Sequence, residues 1–247
     1  MRYIGSGADG KDTVLLLHGG GLSWWNYRKA AALLQDDFHV VLPILDGHAG
    51  SDRPFTTIRD NAEEILSFID EHLGGSVQLL GGLSLGGQVA LEMLALRGDV
   101  CRCALIESAA AIPSKIARAL IGPAISSSYG LIKNEAFSRL QFRSLRIDPD
   151  LFADYYRDTC QISRSDMVAF MEATTGYALD HAIAATSARV HVFAGAKEER
   201  VVLRSAELLG KTVPGSAVTI LPGLYHGEFS ISHPQDYADA VRRILRT

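Results

Sequence analysis

The chain has 247 residues, 47% of them hydrophobic and 21% charged, and a formal net charge of -4. This is the composition of a soluble domain with a substantial core, and its acidic balance argues against nucleic acid or an acidic membrane surface as a partner. No run of about 18 apolar residues could span a bilayer, and Met1 to Gly7 lacks the apolar stretch of a signal peptide, so the expected location is cytoplasmic.

Apolar runs of strand length alternate with longer helical patterns. Thr13–Leu17 reads as a strand, Trp25–Leu34 as a helix and Phe38–Leu42 as the next strand. Between Thr57 and Leu73, the residues Ile58, Ala62, Ile65, Leu66 and Ile69 recur at helical spacing. A strand at Ser76–Leu80, a helix over Gln88–Leu94 and a strand at Cys101–Ile106 follow. The alternation implies a parallel sheet with helices on both faces.

The rhythm breaks at Pro113. Helices are expected near Ser114–Leu131, Asn134–Leu145, Asp150–Cys160 and Arg164–Thr174, with no central strand among them. Alternation then resumes with the strand Val190–Ala194, a helix over Val201–Leu209, the strand Ala217–Leu221 and a last helix over Pro234–Leu245. A helical insertion between strands of one sheet reads as a cap. The expected division is a core of residues 1–111 and 186–247 with a cap of residues 112–185.

Cys101 and Cys103 sit two apart on a strand, too stretched for an easy disulfide, so the three cysteines are expected to be reduced thiols. Gly5-Ser6-Gly7-Ala8-Asp9-Gly10 matches a dinucleotide fingerprint in letters but precedes a strand, with no helix N-terminus to receive a pyrophosphate. It is read as a hairpin turn.

The chemistry-bearing stretch is Gly82-Leu83-Ser84-Leu85-Gly86, set between the strand ending near Leu80 and the helix from Gln88. A serine in a tight strand–helix turn, with glycines two residues away on both sides, describes a nucleophile elbow. Serine needs a base within hydrogen-bond reach and a carboxylate to orient that base. His226 follows the last strand, and Glu198 and Glu199 follow the strand before it. Glu107, at the end of the strand before the insertion, is a competing acid.

In this order of serine, acid and histidine the chain resembles the α/β-hydrolase family over nearly its whole length. His18-Gly19-Gly20-Gly21 looks like the family's oxyanion loop, and Pro43–Ser51 like its D-x-x-G-H-G-x-S segment with residues shifted. The family's acid position falls on Glu198, where most members carry aspartate.

The resemblance implies an α/β-hydrolase fold: a mostly parallel sheet flanked by helices, with a helical cap inserted after the sixth strand. It implies a catalytic triad of Ser84, His226 and Glu198, with oxyanion donors at Leu85 and at Gly20 or Gly21. Hydrolysis of a carboxylic ester through an acyl-enzyme is the expected activity, with no cofactor or metal and a small-molecule ester as partner. Trp24 and Trp25 are candidates for the substrate pocket, one lining it and the other packing in the core. His18 is expected to shape the oxyanion loop. Two other readings stand beside the esterase: a non-esterase of the same fold (a C–C bond hydrolase, lyase or cofactor-free oxygenase), and a ligand-binding receptor that keeps a hydrolase shell.

Overall fold

The computed structural model describes residues 1–246. Strand alternation sorts its core into two layers. In β2 (Thr13–Leu17, after β1 at Tyr3–Ser6), Leu15 and Leu17 face one layer, while Val14 and Leu16 face the other. Both sets are buried, which is why the run is apolar without interruption.

The remaining elements follow the expected alternation. They are α1 (Arg28–Leu34), β3 (His39–Pro43), α2 (Ile58–His72), β4 (Val77–Leu83), α3 (Leu85–Leu96) and β5 (Cys101–Glu107). After them come α4 (Lys115–Ile132), α5 (Glu135–Ser144), α6 (Phe152–Thr159), α7 (Arg164–Gly176), β6 (Arg189–Gly195) and α8 (Arg200–Thr212). The chain closes with β7 (Ala217–Leu221), α9 (Glu228–Ser232) and α10 (Pro234–Arg246). The sheet order is β1-β3-β2-β4-β5-β6-β7, and β1 alone runs antiparallel to its neighbour.

Pairing corrects the reading of Gly5–Gly10. β2 uses both of its edges, one on β3 and one on β4, so β1 cannot pair with it and adds to the outer edge of β3, with Tyr3 opposite Pro43. The turn after Ser6 therefore carries the chain across β3 and closes no hairpin. Gly7 adopts φ +85°, and a Cβ there would lie 2.1 Å from the Phe38 carbonyl oxygen. The cysteines are free.

Two helices show how sequence becomes burial. α2 starts where the Thr57 side chain accepts from the Asp60 amide at 2.9 Å, and it buries Ile58, Ala62, Ile65, Phe68 and Ile69 on one stripe. α3 is buried from Leu85 to Leu94, with Gln88 and Glu92 as its only polar side chains, as befits a helix packed against both the sheet and α2. Each leucine fully buried in this way stabilises the fold by about 1.5–3 kcal/mol.

The helices α4 to α7 leave the sheet after β5 and return before β6. In chain order β5 is the fifth strand, where the family resemblance implied the sixth, and a single antiparallel strand precedes the parallel ones. The stems of this excursion are tied together. Gln88, inside α3, donates its side-chain amide to the carbonyls of Ala110 (2.7 Å) and Thr174 (3.0 Å). The Ser114 amide donates to Thr175 O, and the Leu179 amide to Ala111 O. Phe142, Ile147, Leu151 and Tyr155 extend the core layer that holds Trp25 and Tyr237, whereas Ile116, Leu120, Leu131 and Leu140 stay exposed. No helix among the described residues is long and apolar enough to cross a membrane.

Candidate active site

Ser84 stands alone between β4 and α3, with φ +53° and ψ −112°. That backbone region costs a non-glycine residue about 1–3 kcal/mol, so the surroundings must enforce it. They do so at close quarters. A Cβ on Gly82 would lie 2.3 Å from the Gly86 oxygen, and one on Gly86 would lie 2.1 Å from the Leu17 oxygen. Both glycines are therefore required by the approach of backbone to backbone. The Ser84 amide donates to Glu107 O at 2.8 Å, anchoring the turn on β5.

The loops after β6 and β7 cross in the same way. A Cβ on Gly195 would lie 2.3 Å from Leu224 O, and the Lys197 amide donates to that oxygen at 3.0 Å. The crossing brings Glu198 Oε2 to 2.8 Å from His226 Nδ1, while His226 Nε2 lies 3.1 Å from Ser84 Oγ. An ionised carboxylate only accepts, so Nδ1 carries the proton and Nε2 is left to accept from the serine hydroxyl. The Glu198 side chain is inaccessible to solvent, whereas that of His226 is 52% exposed.

Glu198 Oε1 is held from two further sides. Ser108 Oγ donates to it at 2.6 Å and the Gly195 amide at 2.9 Å. Ser108 was not singled out in the sequence, because a serine directly after a strand has no distinguishing spacing. It adopts φ +56° and also accepts from the Gly227 amide at 3.2 Å, so it ties the acid to the base loop.

Burial opposes ionisation of Glu198, but the His226 contact outweighs it and, with Ser108 and Gly195, holds the carboxyl below its ordinary range. Desolvation of the half-exposed imidazole likewise opposes charge on His226. There the Glu198 hydrogen bond and charge win, aided by Glu107 and Glu199, and the imidazole stays above its ordinary 6.5.

The competing carboxylates face elsewhere. Glu107 is 1% exposed, and its Oε1 accepts from the Ser230 amide at 3.1 Å. Burial pushes it up to about 7, with the nearby Glu198 charge acting in the same direction. Glu199 is exposed and caps α8 through its backbone carbonyl.

The loop after β2 is set by two buried, neutral histidines. His18 Nδ1 donates to Gly19 O (2.9 Å) and its Nε2 accepts from the Leu45 amide (3.1 Å). Burial, followed by the His48 charge, lowers His18 to about 3. His48 Nδ1 donates to Asp46 O (2.9 Å) and its Nε2 accepts from the Gly21 amide (3.0 Å), with burial lowering it to about 4.

The Gly21 N–H is thus already engaged, which removes it from the expected oxyanion donors. The amides of Gly20 and Leu85 make no hydrogen bond among the described residues. A Cβ on Gly20 would lie 3.6 Å from that of Leu85.

Of the two tryptophans, Trp25 takes the core place. It is fully buried, and its indole N–H donates to Asp158 Oδ2 at 2.8 Å, so it joins α1's end of the core to α6 and lines no open pocket. Trp24 is half-buried beside the same layer. Phe170 from α7 reaches the oxyanion loop instead, stacking on His48 at 4.6 Å and lying against Gly20. A cleft of about 460 Å³, lined by Arg59, Glu92, Arg118, Glu172 and Tyr177 among others, lies between α2 and α7 and includes none of Ser84, His226 or Glu198.

Among known proteins, a pimeloyl-[acyl-carrier protein] methyl ester esterase of Chromobacterium violaceum is 26% identical over an alignment of 265 positions, covering all of this chain and 98% of that one. A thermophilic esterase from Thermogutta terrifontis superposes with a TM-score of 0.79 at 23% identity, covering 99% of this chain and 92% of the other. The enol-lactonase from Burkholderia xenovorans superposes with a TM-score of 0.82 at 17% identity, covering 100% and 96%. Residues 14–240 match the model of the alpha/beta hydrolase family, and the chain belongs to that family.

Proposed function

We propose that the protein is a serine hydrolase that cleaves a carboxylic ester through an acyl-enzyme on Ser84. The observation that carries this reading is the unbroken hydrogen-bond chain Glu198–His226–Ser84, at 2.8 and 3.1 Å, ending on a serine in a strained turn. A related chain named as a methyl ester esterase supports the substrate class.

His226 Nε2 takes the Ser84 proton as Oγ attacks the carbonyl carbon. The oxyanion that forms is received by the Gly20 and Leu85 amides, each donor lowering the barrier by about 2.7–4 kcal/mol. Glu198 stabilises the imidazolium, which then protonates the departing alcohol oxygen. A water activated by His226 attacks the acyl carbon and frees Ser84. Residues 112–185 are read as the cap, with Phe170 contributing the wall over the oxyanion loop.

The same three residues serve C–C bond hydrolysis and lyase chemistry elsewhere on this fold. Turnover of short p-nitrophenyl esters, measured against Ser84→Ala, separates these outcomes. Turnover no greater than in the variant would reject the esterase. Covalent labelling of Ser84 by a fluorophosphonate checks the nucleophile independently, and failure to label would favour a binding protein.

A further inference from the structure

Four cations in or facing the insertion hold a carboxylate. Arg28 pairs with Asp154, Lys29 with Asp148, Arg139 with Glu135, and Arg157 with both Asp154 and Asp158. Two that share the ring of Tyr225, the residue before His226, do not. Arg146, just after α5, lies with its guanidinium carbon 3.8 Å from the centroid of the Tyr225 ring. Lys197 Nζ lies 5.0 Å from the same centroid. Both are exposed, and neither side chain has an ion pair or a hydrogen bond among the described residues.

Their placement follows from the two loops that build the triad. Tyr225 immediately precedes His226, and Lys197 immediately precedes Glu198. Arg146 reaches them from the insertion and adopts φ +55°, a region a long side chain rarely occupies. Buried Phe142 and Ile147 on either side fix the chain there.

A ring face satisfies the flat side of a guanidinium but leaves its N–H edge open to an acceptor, in a geometry suited to a carboxylate or phosphate. The carboxylates nearby are turned to other tasks. Glu228 accepts from the Tyr225 amide at 2.7 Å, Glu198 holds His226, and the charge of Glu199 acts on His226.

We propose that Arg146 and Lys197 form an anion subsite at the mouth of the site, selecting esters that carry a separate carboxylate or phosphate away from the bond cleaved. The proposal rests on the esterase reading of Ser84 and adds the substrate class. The subsite joins insertion and core, so it is complete only when the two are docked.

The test uses two matched ester pairs at low ionic strength. One places the charge on the acyl side, monomethyl glutarate against methyl pentanoate. The other places it on the alcohol side, 4-acetoxybenzoate against 4-tolyl acetate. The readout is the anionic-to-neutral ratio of kcat/KM in the wild-type protein and in Arg146→Gln/Lys197→Gln.

In at least one pair the ratio is expected to fall about tenfold or more in the double variant, chiefly through KM, and the wild-type preference is expected to weaken in high salt. Lys197→Glu, which leaves the Arg146 backbone untouched, should lower the same ratio if the double variant folds poorly. An unchanged ratio in both pairs, with neutral esters turned over above the Ser84→Ala level, would overturn the subsite and leave the esterase reading intact. If no ester is turned over, the esterase reading falls and takes the subsite with it.

Discussion

The loops on the carboxyl edge of the sheet and the helices of the insertion are built to different standards. Around Ser84, backbone meets backbone at Gly82, Gly86 and Gly195, and both Glu198 oxygens have partners within 2.9 Å. On α4, Ile132 alone is buried, while Ile116 and Leu120 are 79% and 61% exposed. Shelf positions are set by contacts that forbid any added atom. Insertion positions are set by a few anchors, with room for side chains to change. On the proposed function, chemistry belongs to the first region, and the proposed choice of substrate to the seam between the two.

The sharpest break of this contrast is at the nucleophile. Ser84→Ala should reduce ester turnover about 10⁴-fold or more, with no loss of stability in a denaturant melt. Next is the ranking of the acids. Glu198→Ala should lower kcat about 10²–10⁴-fold and Glu107→Ala by less than about tenfold, since Glu198 alone meets His226. A larger loss from Glu107→Ala would move the acid to β5.

Packing offers the third comparison. Leu91→Ala in α3 should cost about 2–5 kcal/mol, against less than about 0.5 kcal/mol for Leu120→Ala in α4. Equal costs, read from urea midpoints, would mean that the exposed face of α4 is covered in solution.

Two pH measurements refine the shelf. The catalytic base must be neutral, and His226 titrates above 6.5, so kcat/KM should rise with pH through a midpoint above 6.5. Glu198→Gln should move that midpoint down. Glu107 has its folded value raised from 4.5 to about 7, so the unfolded chain binds fewer protons than the folded one across that window. Its contribution to stability is therefore lost as pH rises from 4.5 to 7, and Glu107→Gln should remove a fall on the order of 3 kcal/mol between those limits. Parallel wild-type and variant denaturation curves across that range would contradict it.

Local pattern carried much of this to the reader of the sequence. Strand-length apolar runs located six of the seven strands, and glycines two residues either side of Ser84 marked the turn. Position after a strand marks Ser84 and His226 but leaves Glu198, Glu199 and Glu107 open, and only the family resemblance singles out Glu198; the structure brings Ser84, His226 and Glu198 into one hydrogen-bonded chain.

What stayed hidden depends on which distant backbones meet. β1 is short and interrupted by glycine, and its partner is β3, a strand that is not its neighbour in sequence. The loss of Gly21 as a donor follows from His48, 27 residues away. The burial of Trp25 follows from Asp158, 133 residues away. No spacing rule reaches that far.

Gln88 gives the insertion a consequence of its own. One side-chain amide, rooted in the most deeply buried helix, holds the carbonyls of Ala110 and Thr174 side by side. The ends of the excursion are thereby fixed before its interior is specified, and the entropy of closing it grows only about 0.6 kcal/mol for each doubling of its length. Between that clasp and its return, exposed stretches such as α4 can be lengthened, shortened or exchanged at little cost to the sheet, provided that Phe142, Tyr155, Asp158 and Phe170 keep their contacts with it. The sheet and its loops thus act as a fixed socket, and the insertion as a fitting keyed to it at a few side chains.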